Sequence, residues 1–284
     1  MFTDDPLTPL HLESLLAFLR ANSKRKLTQD DIKNSFQPAA ITDKQVQSNS
    51  AVNASIALGL LTKNGNLLEL SPKVKGRKSS AEFLKEALDA RVLGTKEVEP
   101  YLSLFYSYML GLNEKAYGRK REDWPLGFNR DVFENRPQAN QFNPTKLTGL
   151  HRWLAYMGLG WYDQNKEFHC NPYSRIRRCL SVIFSDTKKL ECVDFLSALA
   201  EHCPELDQGK IFLEANKNYD GSAKECTLGL SDALVDLHSN GFLKLHCPKD
   251  SDGWSIALAS PPSDGKTLLS NRVSQVELGK AGGK

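Results

Sequence analysis

Residues 53–72 read NASIALGLLTKNGNLLELSP, and the architecture follows from this stretch. Gly59 closes a helix, Leu60 and Leu61 open a strand, Asn64-Gly65 turns the chain, and Leu67 to Leu70 return toward Pro72. Glycine accepts the left-handed conformation that ends a helix, Asn-Gly between apolar runs is a strong hairpin signal, and proline stops a strand from continuing. The order recurs twice. Residues 150–172, LHRWLAYMGLGWYDQNKEFHCNP, place Gly158 at the helix end, Leu159 to Tyr162 outward, Gln164-Asn165 at the turn, and Glu167 to Cys170 back to Pro172. Residues 230–261, LSDALVDLHSNGFLKLHCPKDSDGWSIALASP, place Gly241 at the helix end, Phe242 to His246 outward, a longer loop ending at Gly253, and Trp254 to Ala259 back to Pro261. A recurring supersecondary unit constrains the fold before any single motif is weighed.

Helical periodicity upstream of each hairpin supplies the rest of the unit. Before the first, Leu12, Leu15, Leu16 and Leu19 form one stripe, Thr28 offers an N-cap for a short second helix, and a third falls within residues 42–58. Before the second lie the stripe Tyr101, Leu104, Phe105, Tyr108 and Leu112, a short segment at residues 130–135, and Leu147, Leu150, Leu154 and Met157. Before the third, Cys192, Leu196 and Leu199 mark a first helix, residues 210–215 a second, and Cys226, Leu230, Ala233, Leu234 and Leu237 a third. Two further helices, one capped by Ser79-Ser80 and one carrying Ile176, Cys179, Leu180 and Ile183, read as links between units. The expected fold is mainly α with short β-hairpins: three winged-helix-type units at residues 1–76, 77–186 and 187–284, the last with a C-terminal strand, RVSQVEL, and a flexible tail. A generic helical fold with small β-ribbons is the alternative.

The hairpins NGNLLELSP, DQNKEFHCNP and DSDGWSIALASP, with their preceding helices, resemble the winged-helix superfamily over most of the chain. In size and serial arrangement the chain resembles the DpdG-like accessory proteins of 7-deazaguanine DNA-modification and phage-defence islands. That resemblance implies a non-enzymatic, DNA-associated adaptor or regulator of a prokaryotic system, with duplex DNA and protein products of the same operon as partners. The kleisin-associated winged-helix subunits of bacterial condensin-like complexes are similar in layout, and they imply the alternative of a structural subunit whose units bind protein.

A winged-helix unit that reads duplex DNA lays its third helix in the major groove, so that helix should expose hydrogen-bonding and cationic side chains. The first unit has Lys44, Gln45, Gln47, Ser48, Asn49 and Asn53 there, flanked by Lys24, Arg25 and Lys26 and by Lys73, Lys75, Arg77 and Lys78 to neutralise phosphates. The second has Lys146, His151 and Arg152, with Arg175, Arg177 and Arg178 after the hairpin. Its aromatic concentration, Trp153, Tyr156, Trp161 and Tyr162, suits either a core or a stacking surface. The third carries Glu225, Asp232, Asp236, Asp250 and Asp252, which repel phosphate and suit packing or a protein partner.

With 284 residues, a formal net charge of +3 and 40% hydrophobic residues, the chain has room for two or three domains and is too weakly basic for charge alone to identify a nucleic-acid binder. No apolar run suits a membrane span and no signal-peptide pattern opens the chain, so a soluble, cytoplasmic protein is expected. The six cysteines include no CxxC pair and read as reduced, largely packing residues. Three dipeptides, His169-Cys170, His202-Cys203 and His246-Cys247, invite a zinc hypothesis. Adjacent strand residues point to opposite faces, however, so the expectation is no metal. SDGKTLL lacks the earlier glycine of a phosphate loop, and no HExxH, GxSxG or paired-carboxylate pattern is evident, so neither a catalytic site nor a cofactor is expected.

Overall fold

The computed structural model describes residues 2, 7–38, 40–42, 45–75, 80–95, 98–136, 141–246, 253–256 and 272–281, and these are mainly helical with short antiparallel strands. They begin with α1 (Pro9–Ala21), β1 (Leu27–Thr28), α2 (Gln29–Phe36), α3 (Val46–Ala57), β2 (Leu61–Asn64), β3 (Leu67–Leu70), α4 (Pro72–Lys75) and α5 (Ser80–Leu88). The middle holds α6 (Pro100–Leu112), α7 (Asp123–Phe133), α8 (Pro144–Met157), β4 (Gly160–Tyr162), β5 (Phe168–Cys170) and α9 (Tyr173–Ile183). There follow β6 (Lys189–Glu191), α10 (Cys192–His202), α11 (Lys210–Ala215), α12 (Leu228–Ser239), β7 (Leu243–His246), β8 (Trp254–Ser255), β9 (Arg272–Val273) and β10 (Gln275–Leu278). The chain forms two compact units, Met1–Leu102 with Thr145–Tyr156, and Ser103–Pro144 with Met157–Lys284, a division that does not follow the three repeats. Among the described residues no helix is long and apolar enough to cross a membrane.

In the first unit, α1 buries Leu12, Leu15, Leu16 and Leu19, the stripe its periodicity predicts, and packs on α3 and α5. Thr28 starts α2 with a reciprocal cap: its hydroxyl accepts from the Asp31 N–H at 3.1 Å, and the Asp31 carboxylate accepts from the Thr28 N–H at 2.8 Å. Strand β3 lies between β1 and β2, pairing Leu27 with Leu68 and Leu61 with Leu70. From α8, Trp153 is fully buried, edge-on to Phe2 at 4.8 Å, and the Tyr156 hydroxyl donates to Glu13 at 2.7 Å, so both aromatics belong to this core.

The repeat has a geometric signature. Gly59, Gly158 and Gly241 have φ of +69°, +71° and +73°, a region where a side chain would be strained, and each follows the last helix of its copy. In the first and third copies the cap is a Schellman motif: Gly59 and Leu60 donate to Ile56 O and Ser55 O, and Gly241 and Phe242 to His238 O and Leu237 O. The carbonyl one residue after the glycine then accepts from the residue that follows the returning strand. Leu60 O accepts from Ser71 at 2.9 Å, Leu159 O from Asn171 at 2.9 Å, and Phe242 O from Gly279 at 2.8 Å.

That last bond corrects the third copy. The strand that returns beside β7 is β10, pairing Leu245 with Val276, whereas Trp254–Ser255 pairs with Arg272–Val273. Pro261, expected to close the hairpin, lies outside the described residues. RVSQVEL is a strand as its alternation predicts, in two segments split at Ser274. Strand β10 also pairs with β6, so the sheet order β6-β10-β7 repeats the order β1-β3-β2.

Because β6 leads into α10 as β1 leads into α2, α10 holds the second-helix place, and α9, which packs against α12 as α1 packs against α3, holds the first. The helix after Pro172, expected to be a link, is therefore part of the third copy, and α11 is an addition to it. The second copy shows only the two-stranded sheet β4-β5 among the described residues. In the second unit Phe105, Phe128 and Phe142 cluster with ring centroids 4.9–5.3 Å apart. Cys192 and Cys203 are buried, as their helical spacing predicts.

Candidate nucleic-acid interface

On the first unit the polar residues of α3 divide by where α2 ends. Gln37, just past α2, turns its side-chain oxygen onto the first turn of α3, accepting from Ser48 N at 2.8 Å and Ser48 Oγ at 3.0 Å. Ser48 is therefore buried and not a reading residue. Gln45 donates back to Asn34 Oδ1 at 3.1 Å and Gln37 O at 3.0 Å, Gln47 accepts from Gln37 at 3.4 Å, and Asn49 accepts from Gln29 at 3.5 Å. Four of the residues expected to meet base edges, Gln45, Gln47, Ser48 and Asn49, thus hold α2 and α3 together. The outward positions of α3 are Val46, Gln47 and Asn53, with Ser50 and Asn49 half-buried. Lys44, the cation expected there, lies outside the described residues, as do Arg77 and Lys78.

The phosphate-binding candidates are better gathered. Antiparallel pairing of β1 with β3 brings the loop before β1 beside the end of β3. Lys24, Arg25 and Lys26 from that loop and Lys75 from α4 line one groove of about 120 Å³, with Glu69 its carboxylate. All four cations are exposed; Arg25 also donates to Asn22 at 3.2 Å, and Lys75 lies 3.3 Å from Glu69. Lys73 is exposed on α4, and Lys63 on β2. An exposed lysine–glutamate pair at the surface is weak, leaving Lys75 able to exchange partners. The convergence of 24–26 with 75 depends on strand pairing and is not visible from spacing.

The cations after the second hairpin are unequal. Arg175 is 5% exposed: its Nε lies 2.8 Å from the Glu205 carboxylate, which is 0% exposed, and Nη2 donates to His202 O at 2.7 Å. Lys146 is 4% exposed, with its ammonium 5.6 Å from the Tyr101 ring centroid. Neither is at the surface to meet phosphate, because each occupies a core position on an amphipathic helix. Arg178 is half-buried and donates to Met157 O at 3.2 Å; Arg152 is half-buried; Arg177 is exposed with its guanidinium 4.3 Å from the Phe242 ring centroid. Trp161 and Tyr162 on β4 are about half exposed, unlike Trp153. In the third copy, Glu225 and Asp236 are exposed. Burial, and then Asp236, push the Asp232 carboxyl up to about 6, against the opposing effect of His169. Asp250 and Asp252 lie outside the described residues.

Compared with known families, residues 3–252 match a family model described as DpdG-like. The comparisons with curated proteins and with solved structures found no match.

Proposed function

The chain belongs to the DpdG-like family, which associates it with DNA modification, and from that premise we propose that it is a non-enzymatic adaptor or regulator that holds duplex DNA through winged-helix-type units. The observation that carries this reading is the groove lined by Lys24, Arg25, Lys26 and Lys75 in the first unit. Four cations around one cleft suit phosphates, whereas α3 has no described cation and few uncommitted polar groups for reading bases. Binding is then largely independent of sequence and strongly dependent on salt. In the second compact unit, Arg177 and Arg178 add a lesser contribution.

Fluorescence anisotropy with a short nonspecific duplex at several salt concentrations tests this. Changing Lys24, Arg25, Lys26 and Lys75 together to alanine should flatten the dependence of log K on log salt by roughly 0.9 for each phosphate that is no longer neutralised. Undetectable binding at low salt, or an unchanged slope in the fourfold variant, would sink the reading. The alternative, a structural subunit whose units bind protein, is favoured by Ile41 and Val46, apolar side chains 82% and 50% exposed at and just before the start of α3. Co-purification with the products of its own operon in the absence of DNA, together with loss of that association on changing both residues to serine, would select it.

A further inference from the structure

The hairpin β4–β5 brings together three groups of the second unit that DNA holding does not use. Asp163 follows β4, Glu167 precedes β5 and His169 lies within it, all half-buried, and one donor atom from each lies within 4.8 Å of the others. Backbone groups hold both carboxylates, and Asp163 Oδ2 also accepts from Asn165 Nδ2 at 3.4 Å. Asp163 Oδ1 accepts from Asn165 N and Glu167 N, both at 2.9 Å, and Glu167 Oε1 accepts from Gly118 N at 2.9 Å. The imidazole is oriented by rings: Trp161, its cross-strand partner, stacks at 6.0 Å and 10°, and Tyr117 lies 4.8 Å away.

His169 Nε2 lies 3.3 Å from Asp163 Oδ2 but outside hydrogen-bonding geometry, and it is closed to solvent with no hydrogen-bond partner. A buried donor or acceptor left in this state calls for an explanation, and a bound ion is one. The separation itself is informative. Tetrahedral zinc, with bonds to nitrogen and oxygen of about 2.0–2.1 Å, sets neighbouring ligand atoms about 3.3–3.4 Å apart. Glu167 has a carboxylate oxygen within 4.8 Å of both the His169 and the Asp163 donor atoms.

We propose that Asp163, Glu167 and His169 form a divalent transition-metal site suited to zinc, with a fourth position open to water or to a partner's donor. Three protein ligands with one open position is a common zinc arrangement, and ring and backbone contacts that orient the ligands are the usual support for one. The neighbouring Cys170 is not a ligand. Adjacent strand residues face opposite ways, so the thiol and the imidazole are offered to different sides of the hairpin. The His-Cys dipeptide thus contributes its histidine only, and the other ligands come from across the turn.

The test uses the full chain, untagged and stripped with a chelator. Zinc chloride titrated against a chromophoric competitor should bind one ion per chain, and His169→Ala and Asp163→Asn should each weaken that binding at least tenfold while melting as the metal-free wild type does. Cobalt(II) on the unaltered chain should give ligand-field bands without thiolate-to-cobalt charge transfer, which excludes the neighbouring thiols Cys179 and Cys203, 3.6 Å apart. Because the cobalt spectrum needs no variant, it decides the matter even if a substitution fails to fold. No one-to-one binding, equal affinity in both variants, or a charge-transfer band overturns the site. DNA binding is not assumed, so either result stands apart from the groove experiment.

Discussion

Arg175 shows how a single side chain can carry the right charge in the wrong place. Its position in a run of arginines after a hairpin suggests phosphate binding, yet its partner is Glu205, thirty positions along the chain, and sequence spacing cannot reveal that. Removing one member of a buried ion pair leaves the other charge uncompensated, at a cost of about 3–5 kcal/mol. Arg175→Met should therefore lower stability by that order in urea denaturation, while leaving DNA affinity unchanged where the variant is folded. A weakened DNA affinity with intact stability would reverse the assignment. Asp207 makes a separate case. It accepts from Thr227 N at 2.7 Å and Thr227 Oγ1 at 2.8 Å, and desolvation, only partly offset by those bonds, pushes its carboxyl up to about 6. A folded-state value raised from an ordinary 3.8 means that its stabilising contribution is complete below about pH 4 and is lost as pH rises through 6. The stability of the wild type relative to Asp207→Asn should fall by roughly 3 kcal/mol from pH 4 to pH 7. A constant difference across that range would contradict the buried acid.

At the scale of elements, the hairpins of the first two copies are legible because their turns are short and their strands lie next to each other in sequence. In the third copy, the expectation from sequence is a longer loop ending at Gly253, with Trp254 to Ala259 returning to Pro261. The pairing of β7 with β10 spans a longer separation, and β6 is three residues with no alternation to mark it, so α9 lost its strand and read as a link. The bond from Gly279 to Phe242 O is what identifies the true returning strand. A Cβ on Gly279 would lie 2.1 Å from the Gly241 carbonyl oxygen, a backbone atom that cannot easily move aside. Gly279→Val should thus detach the end of β10, lowering stability by about 1–3 kcal/mol as other overpacked sites do, with faster amide exchange at residues 243–246 and 275–278. If exchange in those strands is unaffected, β10 is not the closing strand.

Across the whole molecule, the repeat was legible in its glycines and hairpins, while the two compact units were not, because Thr145–Tyr156 joins the first unit although its own hairpin belongs to the second. The two units should also respond to acid in opposite senses. His151 lies in the first, and desolvation lowers its pKa from 6.5 to about 4. A depressed histidine contributes stability that is complete above pH 6.5 and lost as pH falls toward 4, again by roughly 3 kcal/mol. Asp207 and Asp232, in the second unit, favour the fold over the same descent. Calorimetry at pH 7 and pH 5 should show the wild-type profile broadening or separating at the lower pH, and His151→Gln should reduce that change. A profile that narrows on acidification would oppose this account. The candidate interface was legible to a similar degree: Lys73 and Lys75 are exposed as expected, but the clustering of Lys75 with the loop at 24–26 required knowledge of which strands pair.

Trp254–Ser255 is held on two sides: it pairs with Arg272–Val273, just ahead of β10, and Ser255 also donates to Lys224 O at 2.8 Å and accepts from Cys226 N at 3.0 Å, just ahead of α12. Two residues thus act as a clasp, fastening the entry of the last helix to the strand that closes its sheet.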